Sequence, residues 1–134
     1  SLILVGTNTW SQDVDSVVGN TLDDGNVMYV AHFYAGTHKE NIRNKISTAL
    51  NAGVPVFISE CSICDASGNG IDYASANEWL EFMNSNQLSF IAWSLSNKAE
   101  TSALISSGCS AKSGWSDGDL SETGRWFKSA ISGR

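Results

Sequence analysis

The apolar residues of this chain fall into two alternating patterns. Unbroken apolar runs occupy residues 2–5, 27–33, 56–59 and 90–93, which read LILV, VMYVAHF, VFIS and FIAW. Short continuous runs of this kind predict strands buried on both faces, and therefore a parallel sheet. Between the runs the spacing is helical. In NIRNKISTALNAG, residues Ile42, Ile46, Ala49 and Leu50 share one face, Gly53 supplies a stop, and Pro55 leads into the next run. In DYASANEWLEFMNSN the apolar stripe is Trp79, Leu80, Phe82 and Met83; in LSETGRWFKSAI it is Trp126, Phe127, Ala130 and Ile131, with Ser121 as N-cap. Residues 12–26 are weaker, and Val14, Val17 and Val18 predict only a short helix.

The order is strand then helix or loop, four times, in units of roughly 30 residues, which implies right-handed crossovers onto a parallel sheet. The predicted fold is α/β: four βα units in one domain over residues 1–134, half of a (β/α)8 barrel that usually needs about 250 residues. A small doubly wound sheet is the alternative. Neither G-x-G-x-x-G nor G-x-x-x-x-G-K-[ST] follows any strand, so nucleotide binding has little support. The opening SLILVG starts inside an apolar run with no cap or polar lead-in, and the expectation is that a preceding segment has been cut away.

Composition narrows the partners. With a net charge of −6 over 134 residues, the chain lacks the clustered Lys and Arg that neutralise phosphates, so nucleic acid is not expected. No stretch reaches the roughly 18 apolar residues of a membrane helix, so no membrane partner is expected. Five tryptophans suit sugar stacking or ordinary core packing. The three cysteines, Cys61, Cys64 and Cys109, lack the Cys and His spacing of a zinc site, and no metal or other cofactor is expected. The Asp residues of SDGDL and DASGNG fit turns, since neither segment matches a twelve-residue calcium loop.

In parallel barrels the working residues stand where strands end. Those ends carry Thr7, Asn8 and Trp10, then His32 and Tyr34, then Glu60, then Trp93, Lys98 and Glu100. A carboxylate, imidazole, phenol and indole converging on one rim suit glycoside hydrolysis, in which a carboxylate attacks or stabilises an oxocarbenium-like centre. Glu60 is the candidate nucleophile; a solvated strand-end glutamate is the plainer reading. His32 fits a hydrogen-bonded core histidine as well as a catalytic neighbour. Tyr34, two residues on, points to the same side and could hydrogen-bond Glu60. Trp93 fits either a sugar platform or the core.

The motifs ILVGTNTWSQDVD, VMYVAHFYAGTH, VFISECSICDASGNG and FIAWSLSNKAETSALI, in that order, resemble the second half of the bacterial endoglucanases of glycoside hydrolase family 5. The resemblance covers nearly the whole chain. It implies that Glu60 is the catalytic nucleophile, with His32 and Tyr34 beside it and Trp93 as the sugar platform. It implies that Lys98 and Glu100 bind sugar on the glycone side and Trp10 on the aglycone side. The implied substrate is a β-1,4-glucan such as cellulose, cleaved internally with retention, and the implied setting is secreted and extracellular. Where family members often have Trp and Gly after the nucleophile, Cys61 and Ser62 follow here. The family's acid/base glutamate lies in an Asn-Glu-Pro motif, and this sequence has none; its one proline is Pro55.

An isolated half would expose two sheet edges and much apolar strand surface. Either the N-terminal half of the same enzyme or a second copy of this chain is therefore the expected partner. A second copy would supply no carboxylate at the missing strand end, so this chain alone is expected to be inactive. A glucan-binding scaffold using Trp10, Trp93 and Trp115 is the alternative. If Glu60 faces the barrel mouth, Cys61 faces the helices. Cys64 and Cys109 fall on neighbouring loops, and a Cys64–Cys109 disulfide is expected.

Overall fold

The four apolar runs become four parallel strands. The computed structural model describes residues 1–134, with β1 at Ile3–Val5, β2 at Val27–Tyr34, β3 at Val56–Ser62 and β4 at Phe90–Ala92, in the spatial order β1-β2-β3-β4. This is the α/β architecture of half a (β/α)8 barrel. The connections carry a distorted helical turn, α1 (Asn8–Ser11), a 3-10 turn at Val14–Val17, and the helices α2 (Glu40–Asn51), α3 (Tyr73–Ser85) and α4 (Glu122–Ser132). No helix is long and apolar enough to cross a membrane.

Alternation along the two central strands decides which residues meet the helices. From β2, Tyr29, Ala31 and Phe33 join Val56, Ile58 and Cys61 of β3 in a core with Ile42, Ile46, Trp79, Met83 and Phe127. Trp79 is its centre. Its ring stacks on Phe33 with centroids 3.8 Å apart, Arg43 covers it at 5.2 Å, and its Nε1–H donates to the His38 carbonyl at 2.8 Å. Ser121 caps α4 as expected, accepting from the Gly124 N–H at 3.0 Å, and Asp72 caps α3 by accepting from Ser75.

Three expectations change. The outer strands are not buried on both faces: Ile3 of β1 is 49% and Ile91 of β4 52% exposed, and each of these strands has one neighbour only. Ile131 is 59% exposed, bordering an open groove with Leu95, Leu104 and Trp115 instead of entering the core. β3 runs on to Ser62, three residues past the end of its apolar run, because pairing with β2 continues through Tyr34↔Ser62.

Replacing a buried aromatic by alanine typically costs about 3–5 kcal/mol. Trp79→Ala is therefore expected to lower the unfolding free energy of this chain by that amount, read as a fall in its urea midpoint. An unchanged midpoint would mean that the Phe33–Trp79 stack does not anchor the sheet to α3.

Candidate active site

Register builds the site. β2 pairs with β3 as Ala31↔Ile58 and then His32↔Glu60, so β3 has an extra residue between the two pairs. This bulge brings Glu60 to the face that carries His32 and Tyr34, while Cys61 turns into the core with no exposure. The Tyr34 hydroxyl donates to Glu60 Oε1 at 2.5 Å, and His32 Nδ1 stands 3.6 Å from Oε2. His32 Nε2 lies 2.8 Å from Ser59 Oγ. A proton on Nδ1 suits both contacts: it faces the carboxylate while the Ser59 hydroxyl donates to Nε2.

The electrostatics follow from this half-buried setting. Burial holds His32 below the usual imidazole range, and the Glu60 charge opposes that in part. The Tyr34 phenol is pushed far up by burial first, then by its bond to Glu60 and the carboxylate's charge, so it stays a donor. A hydrogen bond to a charged acceptor is worth about 1.5–3 kcal/mol, enough to fix one carboxylate oxygen and leave the other available.

A cleft of about 550 Å3 opens over these groups, lined also by Trp10, Ser11, Gln12, His38 and Ala66. Trp10 is 85% exposed. It is displayed by three successive non-glycine residues in left-handed backbone, Thr9, Trp10 and Ser11, with φ of 55°, 52° and 61°. Such conformations persist only where surrounding bonds hold them, and they gather at functional sites. Here Ser11 N donates to Thr7 O, Ser11 Oγ accepts from Thr7 N at 3.2 Å, and Thr9 Oγ1 donates to Asp13, which Lys45 also binds. On the opposite wall, Gly36 lets the loop after β2 press against the loop after β3, since a Cβ there would stand 2.7 Å from Asp65 N. Thr37 Oγ1 then accepts from Ala66 N at 2.8 Å.

Residues 1–99 match the family model described as cellulase, glycosyl hydrolase family 5. The chain belongs to glycoside hydrolase family 5. An endoglucanase of Clostridium saccharobutylicum is 45% identical over 134 residues, covering 99% of this chain and 30% of that protein. A solved family 5 cellulase from an Icelandic hot spring isolate superposes with a TM-score of 0.94 at 41% identity, over 99% of this chain and 44% of that one. The catalytic domain of a Thermobifida fusca endoglucanase, solved in complex with cellotetraose, gives a TM-score of 0.89 at 27% identity, over 98% and 46%. The chain thus spans less than half the length of these family 5 relatives.

Of the residues expected from the sequence, Glu60, His32, Tyr34 and Trp10 line one cleft. Trp93, Lys98 and Glu100 lie outside its lining. Trp93 directly follows β4, donates its backbone N–H to Cys61 O at 2.8 Å and is 47% exposed. Lys98 Nζ pairs with Glu100 Oε2 at 3.1 Å on the loop beyond, where Thr101 N donates to Gly68 O. Glu60 is the one carboxylate in the cleft wall. The expected Cys64–Cys109 disulfide is absent, and all three cysteines are free. Cys64 is fully buried with its thiol toward Ser62 Oγ, whereas the Cys109 thiol turns to Asp119 Oδ1. Sequence reasoning passed over Gln12 and His38; only their spacing from Trp10 and Tyr34 marked them.

Because the Glu60 charge is what raises His32 against burial, Glu60→Gln is expected to move His32 titration to still lower pH in histidine Cε1–H NMR spectra. An upward shift would contradict the arrangement. Acid should also weaken the fold. The unfolded chain takes up imidazole protons near pH 6.5, whereas folded His32 and His38 take them up only below that, so stability falls as pH drops through this window.

Proposed function

We propose that residues 1–134 form the C-terminal, nucleophile-bearing half of a secreted, retaining endo-β-1,4-glucanase. The observation that carries this reading is the Tyr34–Glu60 hydrogen bond at a parallel strand end, with His32 beside the second oxygen. Glu60 Oε2 attacks the anomeric carbon of a β-glucan and the bond to the leaving sugar oxygen breaks. That oxygen takes a proton from a general acid. A water, losing its proton to the same group, then attacks the anomeric carbon and frees Glu60, so configuration is retained. Tyr34 holds Oε1 and keeps the carboxylate aimed.

A retaining site needs a second carboxyl about 5–5.5 Å from the nucleophile. Its source in this reading is the N-terminal half of the barrel, docked along the exposed Leu2–Leu4 and Ile91 edges. A second copy of the chain would cover the same apolar edges without bringing an acid. Cellotetraose in the Thermobifida fusca relative supports a β-glucan in the cleft, with Trp10 as an aglycone platform and Trp93, Lys98 and Glu100 serving the glycone side. The scaffold alternative has less support, because Trp115 is tied to the Ala111 carbonyl and lines a separate groove with Leu95 and Ile105.

The chain alone is expected to release no reducing ends from carboxymethylcellulose. A chimera in which residues 1–134 replace the matched segment of the Clostridium saccharobutylicum endoglucanase should hydrolyse it. Glu60→Gln in the chimera should reduce kcat at least about 1,000-fold. Robust hydrolysis by the chain alone, or a chimera indifferent to Glu60→Gln, would refute the reading.

A further inference from the structure

His38 sits four residues beyond Tyr34, and both its ring Nδ1 and its backbone N–H bond that tyrosine. Its Nδ1 accepts the Tyr34 backbone N–H at 2.9 Å, while the Tyr34 carbonyl accepts from Thr37 N at 2.9 Å and His38 N at 2.7 Å. The peptide groups on both sides of the Tyr34 Cα are thus tied to the same turn. The His38 ring also stands edge-on to the phenol ring, with centroids 6.4 Å apart and planes 61° apart. His38 is itself held from behind, because its carbonyl accepts from Trp79 Nε1 at 2.8 Å and Trp79 stacks on Phe33. A continuous path therefore runs from the core, through His38, to the phenol that binds Glu60.

We propose that His38 is a positioning residue: by accepting the Tyr34 amide and bracing its ring, it holds the phenol on Glu60 before any sugar arrives. A ring nitrogen accepts a hydrogen bond only while unprotonated, and burial keeps His38 below the usual imidazole range, which suits that role. The crowding at Gly36 limits other routes for the turn, since a side chain there would strike the Asp65 backbone. The kinetic consequence rests on the proposed function; the geometric claim concerns the chain by itself.

Substitutions that keep or remove the acceptor separate this role from simple filling of space. The side-chain oxygen of asparagine can stand where Nδ1 stands, whereas His38→Ala and His38→Gln offer no acceptor there. In the chain labelled with 13C at tyrosine Cζ, and with Tyr34 assigned by Tyr34→Phe, titration should show Tyr34 as a strongly resistant phenol. His38→Ala and His38→Gln should bring its ionisation down by at least about one pH unit toward the ordinary value near 10, and His38→Asn should leave it close to wild type. No movement in either acceptor-free variant, or equal movement in all three, would overturn the proposal.

In the Clostridium chimera, His38→Gln should reduce kcat at least about 10-fold with little change in KM, and should cost nothing further on top of Tyr34→Phe. Additive losses, or a loss confined to KM, would make His38 a direct sugar contact instead and overturn the proposal. A wild-type chimera without glucan hydrolysis would count against the proposed function, while the tyrosine titration would still decide the role of His38.

Discussion

The extra residue in β3 between the pairs Ala31↔Ile58 and His32↔Glu60 is the constraint on which the rest of the molecule depends. Below it, β2 and β3 send Tyr29, Ala31, Val56 and Ile58 to the helices, and the sheet is an ordinary apolar core. Above it, Glu60 shares a face with His32 and Tyr34, and Cys61 takes over the helix-facing position. A slip of one residue would bury the carboxylate among the helices at a desolvation cost, and would turn a thiol toward the cleft. One irregularity in pairing therefore separates a stable core from a reactive rim.

The same architecture is lopsided in burial. The two central strands have neighbours on both sides, whereas β1 and β4 leave Leu2, Ile3, Leu4 and Ile91 exposed. Native proteins rarely leave open parallel edges with such apolar faces in water. In the proposed enzyme these edges continue into further strands, and the second acid comes from them. The cleft wall here agrees with that division of labour. It has one carboxylate oxygen held by a phenol, the other facing His32, and no second carboxylate.

Much of this was legible in the sequence, for identifiable reasons. The apolar runs were unbroken and the helical stripes regular, so four βα units could be read directly. Glu60 was conspicuous because a charge ending an apolar run is costly unless it is used. Tyr34 followed His32 by two residues, and strand alternation put them together. The reading of Cys64 and Cys109 failed because strand order makes two loops neighbours without setting where in each loop a side chain points. Cys64 lies just past the strand and turns inward beneath its own loop, toward Ser62. His38 was missed because its role comes from a turn closing onto the Tyr34 amide, a contact that leaves no periodic trace. The left-handed display of Trp10 was likewise hidden, since Thr, Trp and Ser give no local signal for positive φ.

In the proposed enzyme a Glu60 carboxylate oxygen forms the covalent bond to sugar. This is tested most directly by reacting the Clostridium chimera with an activated 2-deoxy-2-fluoro-β-cellobioside, whose glycosyl-enzyme intermediate turns over slowly, and mapping the adduct by peptide mass spectrometry. A single fluorocellobiosyl group is expected on Glu60, lost when Glu60 is changed to Gln. A stoichiometric adduct on another carboxylate, such as Glu100, or inactivation that leaves Glu60 unmodified, would contradict it.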